Sequence, residues 1–102
     1  MKLAELASTI RSKNAGVDHV TFDIIFRDRA AFLRTVDSGV LNAESIAKLY
    51  GLDRSRVVSF VVFEPAQAIK FTIRRQRPAG STGEPDPFGS QLYPPLFDVE
   101  IP

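Results

Sequence analysis

The stretch RVVSFVVFEPAQAIKFTIRRQR, residues 56–77, decides the fold of this chain. Residues 57–63 form an almost unbroken run of valine and phenylalanine, which is typical of a central strand buried on both faces. Pro65 interrupts the run because it has no backbone N–H to donate to a neighbouring strand. Residues 69–74 then alternate between apolar and polar side chains, the period of a strand with one face in the core. The stretch therefore predicts a hairpin whose first strand lies in the middle of a sheet.

Length and composition indicate one ordinary globular domain, residues 1–102. The chain is 44% hydrophobic and 25% charged, which suits a single two-layer core. Its 13 basic and 12 acidic residues nearly cancel, so we expect no nucleic-acid partner. The sequence lacks both a signal peptide and an apolar run of the ~20 residues that span a membrane, which predicts a cytoplasmic protein with no membrane partner. With no cysteine and one histidine, we expect neither a metal site nor a cofactor.

The N-terminal segment allows two interpretations. Apolar residues at helical spacing favour a short amphipathic helix over residues 1–14, although the same residues could instead form a strand. Residues 10–16 lose the apolar period and predict a tight turn, since Asn14 and Gly16 tolerate left-handed backbone geometry. A plain helix cap would account for this turn. The alternative is an anion-binding site made by the polar residues of the turn, which are Arg11, Ser12, Lys13 and Asn14.

The middle of the chain predicts a strand followed by two helices. Residues 17–27 alternate as a strand. Asp23 within it is expected to pair with a cross-strand basic residue, and the alternative is that Asp23 or His19 acts as an acid or base. Two capping residues predict where the helices begin: Asp28 for one that ends near Gly39, and Asn42 for one that ends near Gly51.

Residues 76–95 hold five prolines and three glycines and predict a long ordered loop. Ser81 and Thr82 lie in a Gly-Ser-Thr-Gly turn whose amides and hydroxyls suit an anion, although the turn lacks the lysine of a P-loop. Arg74 and Arg75 precede the loop. In a hairpin they would lie near Arg54 and Arg56 and form either a solvated strand end or a second anion-binding edge. Residues 96–101 alternate and predict a final strand.

The order of these elements predicts an α+β, ferredoxin-like domain. We expect a four-stranded, mostly antiparallel sheet, with short helices packed on one face and the long Pro/Gly-rich loop before the last strand. An exposed sheet face or edge would then be free for association.

Several segments together resemble a small bacterial family of unknown function that is associated with proteins of the acyclic terpene utilisation A (AtuA) type. These segments are IRSKNAG at 10–16, DIIF at 23–26, SGVL at 38–41, AKLYG at 47–51 and DVEIP at 98–102. More distantly, residues 11–16 are similar to the Arg-Ser-Gly-Asp-Lys-Gly signature of the ferredoxin-fold domain at the C-terminus of AtuA proteins. Lys13, Asn14 and Ala15 depart from that signature, so only Arg11, Ser12 and Gly16 carry its pattern over.

The resemblance implies a small accessory subunit. Its partner would be an AtuA-type protein in the catabolism of branched hydroxy acids or acyl-coenzyme A esters, in a lyase or hydratase complex. The ligand would then be a small carboxylate or an acyl-CoA. The alternatives are a self-associating structural module, which would be a homo-oligomer, and a free-standing enzyme that uses His19, Asp23 or Asp86.

Overall fold

The computed structural model describes residues 1–16, 18–74 and 94–102. One sheet is built there from four strands, β1 (Ala7–Asn14), β2 (His19–Phe26), β3 (Val57–Phe63) and β4 (Ala68–Arg74), and the helices are α1 (Leu3–Leu6), α2 (Arg29–Ser38) and α3 (Ala43–Leu49). The strand order is β1-β2-β4-β3, and every neighbouring pair is antiparallel. This arrangement confirms the predicted α+β class and is consistent with a ferredoxin-like fold. Within the described ranges, each helix is too short or too polar to cross a membrane.

The starts of α2 and α3 confirm the predicted capping residues. The Asp28 carboxylate accepts a hydrogen bond from the Ala31 backbone N–H at 2.8 Å. The Asn42 side chain accepts one from the Ser45 backbone N–H at 2.9 Å. Each contact satisfies an amide that has no partner within its own helix. Gly39 ends α2 with φ 68°, a left-handed conformation that costs glycine little.

The hydrophobic core lies between one face of the sheet and the helices. Phe22 on β2 and Phe71 on β4 are both fully buried, and their rings stack with centroids 4.6 Å apart. Tyr50, which follows α3, packs against Phe22 at 5.3 Å, and Phe32 of α2 packs against Phe26. Burial raises the pKa of the Tyr50 hydroxyl above its ordinary value. The helices thus cover a single face of the sheet, as predicted.

The position predicted for β3 was wrong. Residues 57–63 do form a strand and a hairpin with β4, but β3 lies at the edge of the sheet and β4 takes the central place between β2 and β3. An apolar run is typical of a strand covered on both faces, but the run itself does not specify its neighbours. In β3, four of the large apolar side chains are exposed: Val58, Val61, Val62 and Phe63.

The prediction of a helix over residues 1–14 was also wrong beyond the first turn. The helix α1 spans Leu3–Leu6, and β1 then runs from Ala7 to Asn14, as in the strand alternative. The predicted turn at 10–16 is therefore mostly strand, and the hairpin reverses after Asn14, where the Ala15 N–H donates to the His19 carbonyl at 2.9 Å. Pairing with β2 satisfies the β1 backbone along its length, and this long-range pairing overrides the local helical spacing.

The C-terminal segment does not form the predicted final strand. Residues Pro94–Asp98 form a 3-10 helix, and the segment pairs with the N-terminus through a single bridge between Lys2 and Glu100. Leu96 and Ile101 are nevertheless fully buried, which explains the apolar pattern of the segment. Residues 75–93, which include most of the predicted loop, lie outside the described residues. The order of that loop stays a prediction.

Candidate functional site

The sheet face opposite α2 and α3, here called the outer face, carries a row of three charged residues. The strand register places Arg11 of β1 beside Asp23 of β2, and Asp23 beside Lys70 of β4. Arg11 Nε lies 3.2 Å from Asp23 Oδ2, and Lys70 Nζ lies 3.9 Å from Asp23 Oδ1. The Asp23 side chain is 9% exposed, against 60% for Arg11 and 49% for Lys70. A buried carboxylate is thus held between two exposed cations, which confirms the cross-strand pairing expected for Asp23.

This geometry leaves Arg11 able to bind a second carboxylate. Its contact with Asp23 runs through Nε, so the two terminal nitrogens are not used in that ion pair. A guanidinium can hold a carboxylate through two parallel hydrogen bonds, and a lysine ammonium cannot reproduce that geometry. Asp23 fixes the position of the guanidinium, which reduces the entropy lost when a ligand binds.

The apolar border of the outer face begins next to Lys70. Lys70 Nζ lies 5.6 Å from the centre of the Phe63 ring, within the range of a cation–π contact. Val61 pairs with Lys70 across the strands, and Phe63 pairs with Ala68. Val61 and Phe63 are 48% and 43% exposed. The β3 side of the outer face is therefore an apolar strip in contact with a cation.

The outer face is also basic at the end of the sheet where β1 and β4 carry Lys13 and Arg74. Lys13 of β1 follows Arg11 by two residues and is exposed on the same face. Arg74, at the end of β4, is exposed and pairs in the register with His19. Between them the Thr21 and Thr72 hydroxyls lie 3.2 Å apart. The cations of the outer face are Arg11, Lys13, Lys70 and Arg74.

The four polar residues predicted to share one turn are divided between two faces of the sheet. Because side chains alternate along a strand, Arg11 and Lys13 lie on the outer face, whereas Ser12 and Asn14 lie on the face toward the helices. Ser12 is 5% exposed and pairs in the register with Phe22. The structure therefore brings only Arg11 and Lys13 together.

The arginines near the ends of the β3–β4 hairpin differ in their surroundings. Val57 pairs with Ile73, so the start of β3 does lie beside the end of β4, as expected. Arg54 donates from Nη1 to the Val57 carbonyl at 3.2 Å, a local contact. Arg56 Nε and Nη2 are buried, with no acceptor among the described residues. Arg75, Ser81 and Thr82 lie outside the described residues, so their proposed anion contacts stay predictions.

Two of the residues suggested for acid or base chemistry, His19 and Asp23, are far apart. His19 and Asp23 lie four residues apart on the same strand, a separation of about 13 Å between their backbones. His19 Nδ1 instead lies 2.9 Å from Asp18 Oδ1, and Asp23 is engaged by Arg11 and Lys70. Asp86 lies outside the described residues. His19 and Asp23 therefore do not form an acid–base pair in this fold.

A family model described as a domain of unknown function, DUF4387, matches residues 3–100. The chain belongs to this family. The match includes all four strands of the sheet and the helices α1, α2 and α3, so the fold is that of a DUF4387 domain. No curated protein and no solved structure matches the chain. The resemblance found in the sequence is thus confirmed as far as a family of unknown function, and its association with AtuA-type proteins remains a proposal.

Two features of the DUF4387 outer face were missed in the sequence. One is Lys70, whose place beside Asp23 depends on the pairing of β2 with β4. The other is the exposed apolar strip of β3. The sequence did contain a sign of this strip, because none of the seven residues of β3 is charged. The same uncharged pattern is also typical of a buried strand.

We expect Arg11 and Asp23 to stabilise the DUF4387 domain as a pair. A double-mutant cycle with Arg11→Met and Asp23→Asn should give a coupling free energy of about 0.5–1 kcal/mol, because one partner is buried and the other is exposed. Urea denaturation of the four proteins measures the coupling, which should decrease as salt is added. The exposed pair Lys2 and Asp98, 3.2 Å apart, serves as the control and should show no measurable coupling. Equal coupling in both pairs would mean that burial of Asp23 contributes nothing.

Proposed function

We propose that this protein is a small cytoplasmic accessory subunit that acts by binding an AtuA-type protein. The complex would catabolise branched hydroxy acids or acyl-CoA esters, as a lyase or hydratase. The choice of partner rests on the sequence resemblance described above. The mode of action, association through the sheet, rests on the structure of β3.

The exposed edge strand β3 is the observation that carries the proposal. Among the described residues, no strand pairs with its outward edge, and four of its seven side chains are large, apolar and at least 40% exposed. Soluble proteins protect such edges with charged residues, proline or a covering segment, because an exposed apolar strand pairs with other chains. None of the β3 side chains is charged, and this favours a strand that binds another protein.

The outer face suggests how the subunit would contribute to a shared site. Arg11 is positioned by Asp23 and is 60% exposed, so its guanidinium can reach a carboxylate held at the boundary with the partner. The subunit would then complete a site whose catalytic groups belong to the partner. A small carboxylate or the acidic part of an acyl-CoA fits this role by charge. An independent enzyme is disfavoured because His19 and Asp23 are separated along β2.

The test is co-expression of this protein with the AtuA-type protein of the same organism. We expect both chains to elute together in size-exclusion chromatography, and the complex to convert branched hydroxy acids or acyl-CoA esters faster than the AtuA-type protein alone. Separate elution, with an activity that the small chain does not change, would contradict the proposal. If the small chain alone elutes as a stable dimer and does not bind the partner, the result favours the self-associating module.

A further inference from the structure

The outer face combines a basic area with an apolar border. Among the residues that the structure describes, it carries four cations, Arg11, Lys13, Lys70 and Arg74, and all four are exposed. The carboxylate of Asp23 lies among them, but it is buried and already engaged by Arg11 and Lys70. Among the described residues, no ion pair involves Lys13 or Arg74. The face therefore presents an excess of positive charge although the whole chain is close to neutral.

The dimensions of the face limit what can bind to it. The apolar strip of β3 and the cations of β1 are separated by three strand spacings, about 14 Å. Lys70 lies between them on β4. A binding segment that contacts both areas must cross the strands, and its apolar side chains and its carboxylates must lie at opposite ends.

We propose that the outer face docks an acidic, amphipathic segment of a partner protein. Apolar side chains of that segment pack on Val61 and Phe63, and its carboxylates contact Lys13 and Arg74. Arg11 is left to hold the carboxylate ligand of the proposed function. The inference deepens the proposed function and rests on it, since it states which surface the partner uses and what chemistry the partner brings.

Charge complementarity favours an acidic partner over a second copy of this chain. Two outer faces packed together would bring identical sets of cations into contact, and like charges at an interface are unfavourable. Carboxylates of a different protein would instead form ion pairs with Lys13 and Arg74, which have no ion pair among the described residues.

A peptide with leucines at one end and glutamates at the other tests the face without any particular partner. In a nuclear magnetic resonance titration, we expect the amide signals of the outer-face residues on β1 and β4 to shift, with an affinity that falls as salt rises. The same peptide with lysine in place of each glutamate is the matched control and should not shift them. Shifts confined to α2 and α3, equal binding of both peptides, preference for a DNA duplex, or no binding of the acidic peptide at about 1 mM would overturn the inference.

Charge reversal locates the site. The double variant Lys13→Glu with Arg74→Glu should bind the acidic peptide at least about tenfold more weakly than the unchanged protein. The control double variant Arg29→Glu with Lys48→Glu makes two such reversals at exposed positions of α2 and α3, in the helix layer on the other side of the sheet, and should bind normally. Equal loss in both variants would show that net charge alone attracts the peptide, and this result would overturn a site on the outer face.

The same variants distinguish this inference from the proposed function. If the AtuA-type protein binds the double variant Lys13→Glu with Arg74→Glu as tightly as the unchanged protein, the docking surface is wrong and the proposed function stands. If the acidic peptide binds to the outer face but the AtuA-type protein does not bind at all, the partner is wrong and the docking surface stands.

Discussion

Replacing Phe71 with alanine should lower the free energy of unfolding by about 3–5 kcal/mol. Phe71 is 1% exposed and belongs to β4, which is paired on both sides. Its ring stacks against Phe22 at 4.6 Å and against Phe60 at 6.3 Å. Truncation would leave a cavity between two aromatic neighbours, so the loss includes contacts as well as burial. Urea denaturation followed by circular dichroism measures the change.

The matched control is Phe60→Ala. Phe60 is only partly buried and lies on the edge strand β3, so we expect a smaller loss of about 1–2 kcal/mol. The apolar run in the sequence predicts that residues 57–63 form a central strand. On that prediction, Phe60→Ala would lower the free energy of unfolding as much as Phe71→Ala. Equal losses for the two variants would contradict the strand order β1-β2-β4-β3.

The second large effect is expected at the partner interface. Replacing Val61 and Phe63 together with glutamate should weaken binding of the AtuA-type protein at least about 100-fold, or ~2.7 kcal/mol. Both side chains are nearly half exposed, so the substitutions remove little burial from the core. The two glutamates would place carboxylates on an edge strand that binds the partner through apolar side chains. A charged edge strand resists pairing with another chain. Titration calorimetry with the co-expressed partner measures the affinity.

Leu49→Glu is the control for this variant. Leu49 is 37% exposed, but it belongs to α3 in the helix layer. We expect this variant to bind the partner normally. If the partner still binds the β3 double variant, or if Leu49→Glu weakens binding equally, the edge strand is not part of the interface. Circular dichroism of each variant confirms that it is folded before binding is measured.

The helices α2 and α3 were predicted well because their ends depend on nearby residues. Asp28 and Asn42 each bond an amide three residues later, and Gly39 ends α2 through its own backbone conformation. Such contacts can be inferred from the sequence without knowing the fold. The strand character of residues 19–26, 57–63 and 68–74 was likewise evident from alternation and from β-branched residues.

The N-terminal strand and the candidate site could not be predicted in the same way. Residues 7–14 have an ambiguous local pattern, and pairing with β2 decides that they form a strand. The strand conformation also divides the predicted polar cluster, since alternation places Arg11 and Lys13 on one face and Ser12 on the other. The predicted turn would have kept these side chains together.

By itself, the sequence determined the α+β class, the hairpin of residues 57–74, the helix starts and the family, because these follow from local pattern and motif. Only the tertiary structure decided that β4 is central and β3 is an edge. It also decided that Asp23 lies between Arg11 and Lys70, residues from three different strands. The physical reason is that strand order and cross-strand contacts depend on which backbones pair, and such pairing joins residues that are distant in the chain.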